Sequence, residues 1–299
     1  MNNSELPPVP EPAAIEAAAQ LLSGNPDYRI LRRLPDPGLM TLASTGDLKT
    51  RVGVVIDVET EGLDSTSDRI IELAARRFRF DSRGEIVQIG QSWVWREDPG
   101  RPLSAEITRL TGLTDADLAG QSIDDEAATA LLQSSQVLVA HNAPFDVSFV
   151  EQRLPGAAGL AWACSMRDVD WAKLGFDGRS LTQLVEHTGY FFDAHSAEND
   201  INALLHLLSF HLDGGSTILA KLMENAERPT LKLEAVGAPF EAKDSLKARG
   251  YRWDVSARVW WTEIPLSEEI DEQLWLQRNN CRCTARLTQV TWKTRHRPM

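Results

Sequence analysis

The feature that most constrains the fold is a short apolar segment, VGVVI at residues 52–56, that leads directly into acidic side chains. Consecutive apolar residues predict a strand that is buried on both faces, as in the centre of a sheet covered by helices. Side chains alternate along a strand, so Asp57 and Glu59 project from the same face where the apolar segment ends. The sequence therefore predicts an α/β domain with two carboxylates at one end of its central strand.

The segments that follow predict a mixed sheet. Residues 69–80 and 85–97 are strand-like and are joined by the turn DSRG, which indicates a meander. A short apolar strand is predicted at residues 136–142. Helical patterns lie before and after it, over residues 104–110, 123–132, 144–153, 166–174, 181–187 and 196–212. This order predicts an α/β fold with a ribonuclease-H-like mixed sheet flanked by helices, followed by a small α+β C-terminal domain.

Changes in composition divide the chain into four parts. Residues 1–50 hold a proline-rich arm and an alanine-rich helix, and residues 51–213 hold the main α/β domain. Residues 214–228 form a linker helix, and residues 229–299 form a small, basic, tryptophan-rich α+β module. In that module we predict a strand, a helix, a hairpin, a second helix and a final strand.

Composition places the chain among globular proteins, because 42% of its 299 residues are hydrophobic and 25% are charged. No run of eighteen apolar residues is present, and the first residues lack the basic and apolar regions of a secretory signal. Three cysteines are too few for a disulfide framework. We therefore expect a soluble, cytoplasmic protein with no membrane contact.

Charge is distributed unevenly along the chain. The net charge of −12 argues against a protein that coats DNA regardless of sequence, because phosphate contacts need Lys and Arg. Residues 228–299 nevertheless carry a balance of +4, which leaves −16 on residues 1–227. This pattern is compatible with metal ions on the acidic part and a polyanion on the basic part, and equally with a solvated surface.

Two further acidic groups stand at predicted helix starts. In HNAPFD at residues 141–146, Pro144 suits the first helical turn and places Asp146 beside the positive end of the helix dipole. In HSAEND at residues 195–200, Ser196 suits the N-cap position and places Asp200 one turn into the helix. Alone, each group also fits an acidic helix cap or a surface histidine, and D-x-E recurs at residues 124–126.

The order of these groups resembles the DnaQ-like 3′→5′ exonucleases of the DEDDh type, which include the proofreading epsilon subunit of DNA polymerase III. The similarity rests on D-x-E, then H-N-x-x-F-D, then H-x4-D, and on ETEGLD, DRIIEL and LTGLT between them. It covers roughly residues 52–212. Glu61 stands where the family usually has Thr or Ser, and Ser196 stands where Arg is common. Both departures concern substrate handling more than metal binding, so they affect the expected substrate preference and not the expected reaction.

The resemblance implies roles for individual residues. It implies that four carboxylates bind two Mg²⁺ or Mn²⁺ ions and that His195 is the general base. Three side chains would line the terminal nucleotide, and Asn142 would order the site. The implied metal ligands are Asp57, Glu59, Asp146 and Asp200, and the implied nucleotide contacts are Thr60, Leu63 and Phe145.

The resemblance implies an exonuclease that releases nucleoside monophosphates from 3′ ends, chiefly of single-stranded DNA, in proofreading or repair. Two ions held by the carboxylates would relieve their repulsion and stabilise both oxygens of the phosphodiester exchange. A DNA polymerase or repair protein is then an expected partner. Two alternatives stay open: an exoribonuclease acting on RNA ends, and an adaptor that binds nucleic acid without cleaving it.

The C-terminal module holds five of the nine tryptophans, interleaved with basic residues. Aromatic rings beside Lys and Arg are typical of single-strand binding, but a module this small also needs large side chains for its core. We expect most of these rings to be core. Residues 278–297 contain six basic and no acidic residues, and are the better candidate for contact with nucleic acid or a partner.

Overall fold

The computed structural model describes residues 11–39, 49–279 and 281–297. Most of the predicted proline-rich arm lies outside these residues. The strands are β1 (Arg32–Arg33), β2 (Arg51–Thr60), β3 (Ile70–Phe80), β4 (Ile86–Arg96), β5 (Val137–Ala140), β6 (Trp162–Cys164), β7 (Tyr190–Phe191), β8 (Thr230–Val236), β9 (Arg252–Asp254), β10 (Val259–Pro265) and β11 (Thr284–Val290). The helices are α1 (Pro12–Ser23), α2 (Ala105–Thr111), α3 (Asp115–Leu118), α4 (Asp125–Gln133), α5 (Ala143–Arg153), α6 (Leu181–His187), α7 (Ala197–Ser209), α8 (Ile218–Glu227), α9 (Lys243–Arg249) and α10 (Glu269–Arg278).

Five strands form one mixed sheet in the order β4-β3-β2-β5-β6. The meander β2-β3-β4 is antiparallel, whereas β5 runs parallel to β2 and β6 runs parallel to β5. A separate four-stranded antiparallel sheet follows, in the order β11-β8-β10-β9. The predicted α/β fold, a mixed sheet flanked by helices with a small α+β unit after it, is confirmed.

Strand β2 separates two hydrophobic cores. Val55 faces the core that contains side chains of α6, α7 and α8, while Val54 and Ile56 face the core that contains side chains of α4 and α5. All three side chains are fully buried. Burial on both faces explains the unbroken apolar segment and fixes the strand that carries Asp57 and Glu59.

The structure differs from the predictions for this domain at two places. Strand β6 is not predicted from the sequence, because a three-residue strand is too short to show a period. Residues 166–174 form turns instead of the predicted helix. There the Asp168 carboxylate accepts a hydrogen bond from the Cys164 N–H (2.8 Å), and Trp171 Nε1 donates to the Ser165 carbonyl (2.8 Å). These side-chain bonds to the backbone compete with a helical ladder.

The second sheet has its own core. Leu233, Leu246 and Trp260 pack together there, and α9 and α10 contribute to the same cluster. Trp260 is buried, but Trp253 is exposed and packs against it with ring centroids 5.4 Å apart. The tryptophans of this module therefore divide between its core and its surface.

The residues after β11 fold back onto the main domain. The Trp292 carbonyl accepts a hydrogen bond from the Trp162 N–H (2.9 Å), and His296 pairs with Asp168 (2.8 Å). Arg297 forms an ion pair with Glu151. Part of the basic end, which is predicted to contact nucleic acid or a partner, is thus engaged in internal pairs.

The helices of the described residues are all too short or too polar to cross a membrane.

Gly53 generates a stability prediction, because a Cβ there would lie 2.4 Å from Cζ of the buried Phe78 ring. We expect Gly53→Ala to lower the free energy of unfolding by about 1–3 kcal/mol through overpacking. Phe78→Leu in the same chain should recover part of this loss by shortening the clashing side chain. Chemical denaturation of the two single variants and the double variant measures the coupling. Strictly additive losses would contradict the proposed clash.

Candidate active site

Three carboxylates from two distant segments meet at the end of β2. Asp57 and Glu59 project from the same face of the strand, and Asp200 lies in the first turn of α7. One carboxylate oxygen of each residue lies within 4.8 Å of the other two. Oxygen donors grouped in this way suit hard divalent cations such as Mg²⁺ and Mn²⁺.

The loop before α7 ties His195 to this group. Its backbone N–H donates a hydrogen bond to Asp200 Oδ2 (2.9 Å). His195 adopts a left-handed backbone conformation with φ of 68°, which is uncommon for a residue with a side chain. The residue is exposed to solvent.

A fourth carboxylate, that of Asp146, lies in the first turn of α5 and is only 2% exposed. Asn142 caps this helix with φ of 75°, and Pro144 occupies its first turn. Asp146 is not in the group whose oxygens lie within 4.8 Å, but its charge acts on Asp57. The predicted helix start therefore brings Asp146 to the same acidic site.

Burial raises the pKa of all four carboxyl groups, and repulsion from neighbouring carboxylates adds to the rise for Asp57, Glu59 and Asp146. Burial is the largest cause in each case, and repulsion from Asp146 and Asp200 adds to the rise in the pKa of Asp57. The pKa of Glu59 rises to about 8 and that of Asp200 to about 7. Within residues 11–39, 49–279 and 281–297, none of the four forms an ion pair. The site therefore has a deficit of positive charge that divalent cations fit.

A fifth carboxylate, not singled out from the sequence, organises this site. Glu72 on β3 pairs with Glu59 in the strand register and is only 4% exposed. Its Oε2 accepts a hydrogen bond from the Ala197 N–H (3.2 Å), and its Oε1 accepts one from Arg96 Nε (3.1 Å). Glu72 thus holds the first residue of α7, the helix of Asp200, against the sheet. The sequence feature that could have identified Glu72 is its position in the motif DRIIEL.

The side chains implied as nucleotide contacts lie around the same strand end. Thr60 is buried, and its hydroxyl donates to the Gly62 carbonyl (2.5 Å), which shapes the following loop. Leu63 on that loop is 87% exposed. Phe145 is half-buried and packs against Phe149 with ring centroids 4.9 Å apart.

Glu61, which departs from the family pattern, has a structural partner. Arg101 Nε and Nη2 donate to its two carboxylate oxygens at 2.6 and 2.8 Å. Glu61 also accepts a hydrogen bond from the Arg69 N–H (3.1 Å). These contacts fix the loop of residues 61–69 and leave the Glu61 carboxylate turned to Arg101.

His141 is built into the domain. Its Nδ1 lies 2.8 Å from Ser165 Oγ, and its Nε2 lies 3.0 Å from the Arg179 carbonyl oxygen. Burial lowers the pKa of His141 to about 4. Of His141 and His195, His195 is the exposed one.

Comparison with known protein families identifies one match. The model of the Exonuclease (RNase_T) family matches residues 54–208, which include all four carboxylates and His195. This range is about half of the chain.

Three similar proteins are DNA polymerases. DNA polymerase III PolC-type of Clostridium perfringens is 32% identical over 163 residues, which is 52% of this chain and 11% of that protein. The Listeria monocytogenes and Streptococcus thermophilus proteins of the same name are 41% identical over 98 residues and 40% identical over 110 residues. This chain spans 6% and 7% of their lengths.

Among solved structures, exonuclease X in complex with 5′ overhanging duplex DNA aligns with a TM-score of 0.41 at 22% identity. The alignment covers 57% of this chain and 91% of that one. E. coli exonuclease I in complex with a dA16 oligonucleotide aligns with a TM-score of 0.43 at 18% identity, over 62% and 48% of the two chains.

The raised pKa values predict how the stability of the metal-free protein depends on pH. The pKa of Glu59 is about 8 in the folded state against an ordinary value of 4.5, so the folded state retains a proton that the unfolded state loses. The free energy of unfolding in EDTA should therefore fall between about pH 4.5 and pH 8. Denaturation at several pH values measures this slope, which Glu59→Gln should reduce and Mn²⁺ should suppress. Identical slopes in the parent and in Glu59→Gln would contradict the assignment.

Glu72 yields a second prediction, about metal affinity. Removing its contact with the Ala197 N–H should loosen α7 and raise the half-saturating Mn²⁺ concentration about tenfold in Glu72→Ala, as measured by thermal shift. Glu72→Gln retains an oxygen acceptor for that N–H and should lie closer to the parent. Parental metal affinity in Glu72→Ala would refute a positioning role.

Proposed function

Because this chain belongs to the Exonuclease (RNase_T) family, we propose that it is a two-metal 3′→5′ exonuclease that releases nucleoside monophosphates from single-stranded DNA. One observation carries the proposal. Carboxylate oxygens of Asp57 and Glu59 lie within 4.8 Å of one another and of an oxygen of Asp200, which is distant in sequence. An arrangement that raises every carboxyl pKa is unfavourable unless cations compensate it.

The metal ligands in this proposal are Asp57, Glu59, Asp146 and Asp200, and the ions are Mg²⁺ or Mn²⁺. When bound, such ions activate water and stabilise the attacking and departing oxygens of a phosphodiester. The protein contributes a rigid frame, because the fully buried segment of β2 fixes two of the ligands and two helix starts supply the others.

His195 is the general base in this proposal. Imidazole accepts protons near neutral pH, and this residue is exposed beside Asp200, where an attacking water would have access. The hydrogen bond from its backbone N–H to Asp200 Oδ2 keeps the loop in place without occupying the imidazole.

The terminal nucleotide would lie against Thr60, Leu63 and Phe145, with Asn142 ordering the start of α5. The exposed Leu63 supports this placement, because a large apolar side chain on a polar loop is suited to a nucleobase or sugar. Thr60 supports it indirectly by bonding to the Gly62 carbonyl and shaping the loop that presents Leu63.

DNA is the favoured substrate, and a DNA polymerase or repair protein is the favoured partner, because the named relatives are DNA polymerases III of the PolC type. This chain corresponds to at most 11% of their length, so their activities support the choice only for the matching segment. We assign catalysis to residues 51–213, with residues 214–228 as a linker and residues 229–299 as an accessory module.

The activity test uses the full chain with end-labelled single-stranded oligonucleotides. With Mg²⁺ or Mn²⁺ the product should be a ladder of single-nucleotide steps from the 3′ end, and EDTA should abolish it. A parallel RNA oligonucleotide separates deoxyribonuclease from ribonuclease activity. Failure to cleave either nucleic acid in the presence of metal would refute the enzyme and favour a non-catalytic adaptor.

Substitutions at the site should separate catalysis from folding. Asp57→Asn and Asp146→Asn remove metal-ligand charge and should lower kcat by at least about a thousandfold, while the unfolding transition in EDTA remains cooperative. His195→Gln should lower kcat by about a hundredfold or more with little change in KM. Asp124→Asn, in the second D-x-E motif at an exposed helix cap, is the matched control and should keep parental activity.

A further inference from the structure

A long groove runs between the main domain and the C-terminal module. Its volume is about 1320 Å³, above the range of roughly 300–1,000 Å³ that is usual for small-molecule pockets. Asn142 lines it on one side of the cleft, and Arg252, Trp261 and Pro265 line it on the side of the module. A groove of this size suits a polymer.

Four exposed arginines give this groove a positive surface, and we call it the arginine groove. They are Arg167, Arg179, Arg228 and Arg252. Among the described residues, Arg167, Arg179 and Arg252 form no ion pair, and Arg228 pairs only with the exposed Glu224 at 3.4 Å. The groove is therefore positive in a chain whose net charge is −12.

The acidic residues that line the groove already have hydrogen-bond or ion-pair partners. Asp168 pairs with His296 at 2.8 Å, and Glu263 pairs with Arg295 at 3.1 Å. Asp170 pairs with Lys173 at 2.8 Å. A polyanion in the groove would thus meet free guanidinium groups more than free carboxylates.

The arginine groove reaches the start of α5, the helix that carries Asp146. Arg167 Nη2 donates a hydrogen bond to Asn142 Oδ1 (3.2 Å), and Asn142 caps this helix. The Arg179 carbonyl lies 3.0 Å from Nε2 of His141, the residue before Asn142. Arg167 and Arg179 therefore lie beside the start of α5, and Arg252 extends the positive surface to the C-terminal module.

At the module, Arg252 is held over an aromatic ring. Its guanidinium carbon lies 4.2 Å from the centroid of the Trp261 ring, and both residues line the groove. A guanidinium group ordered in this way can stack on an unpaired base as well as contact phosphate. This geometry favours a single strand over a duplex, whose bases are not exposed.

The two sides of the groove are joined by the segment after β11. Arg295 donates to the Ala226 carbonyl (2.9 Å) and the Arg228 carbonyl (2.6 Å) while pairing with Glu263. His296 is only 4% exposed in its pair with Asp168. These contacts form the groove before any ligand arrives, which reduces the ordering cost of binding.

We propose that the arginine groove binds the phosphate backbone of a single-stranded polynucleotide whose 3′ end lies in the acidic site. This inference rests on the proposed exonuclease function and adds an assignment to it: the C-terminal module is part of the substrate path. The arginines position the strand, and the acidic site retains the chemistry.

The test compares two variants of the full chain. Each variant lacks two exposed arginines, one in the main domain and one in the C-terminal module. Arg179→Ala with Arg252→Ala removes one arginine from each side of the groove. Arg109→Ala with Arg258→Ala is the matched control, because both residues are exposed and lie outside the groove lining. The ligands are labelled single-stranded DNA and RNA of about twenty nucleotides, and binding is measured by fluorescence anisotropy in EDTA at several salt concentrations.

The groove variant should bind the strand about tenfold more weakly at low salt than the control variant. The slope of log affinity against log salt should become shallower by about 1.4, since each lost phosphate contact on a single strand contributes roughly 0.7. Parent-like affinity and slope in the groove variant, or failure of the parent to bind either strand, would overturn the proposal. Equal losses on DNA and RNA assign the groove to the shared backbone.

A second measurement separates this proposal from the proposed function. The p-nitrophenyl ester of thymidine 5′-monophosphate is too small to reach the groove, so its hydrolysis with Mn²⁺ reports on the acidic site alone. The ratio of kcat/KM for the long strand to kcat/KM for the ester should fall about tenfold in the groove variant. An unchanged ratio overturns the groove, whereas weakened strand binding without ester hydrolysis by the parent overturns only the exonuclease function.

Discussion

Repulsion between buried carboxylates is the constraint on which this structure depends. Burial raises the pKa of Asp57, Glu59, Asp146 and Asp200, and repulsion from neighbouring carboxylates raises it further for the first three. Such a group opposes folding when its members ionise, so the surrounding frame must be rigid enough to hold it. The frame here is a central strand buried on both faces and two helices that start at the same sheet edge.

The frame works because each helix start is anchored separately. Glu72 bonds the first residue of α7 from the neighbouring strand, and the N–H of Ala143, the first residue of α5, donates a hydrogen bond to Cys164 Sγ on β6 (3.3 Å). These anchors lie on different strands, β3 and β6, so separate contacts position Asp146 and Asp200. A shift of either helix would therefore move one carboxylate without moving the pair on β2.

Local patterns in the sequence predict the parts of this site better than its assembly. Alternation places Asp57 and Glu59 on one face, and capping residues place Asp146 and Asp200 in first helical turns. That these segments meet follows from the family resemblance, since spacing alone does not bring distant carboxylates together. The sequence does not predict the role of Glu72, because that role depends on strand register, which is a property of the folded sheet.

The C-terminal segment shows the same limit of sequence patterns more strongly. Its basic residues predict contact with an external polyanion, yet His296 and Arg297 find partners 128 and 146 residues away in the main domain. Long-range pairs of this kind leave no periodic signal. The exposed arginines that line the groove come instead from four separate segments, and one of these segments, residues 166–174, is predicted as helix but forms turns.

His195 and Asn142 share a feature with a wider consequence: both adopt left-handed backbone conformations within two residues of the helices that carry Asp200 and Asp146. Each such conformation costs on the order of 1–3 kcal/mol and persists only where the surroundings enforce it. Conformational strain and electrostatic strain are therefore concentrated in the same few residues. Selection for thermostability alone would first favour substitutions that remove the backbone strain at these two residues. The geometry of the acidic site would be lost with that strain.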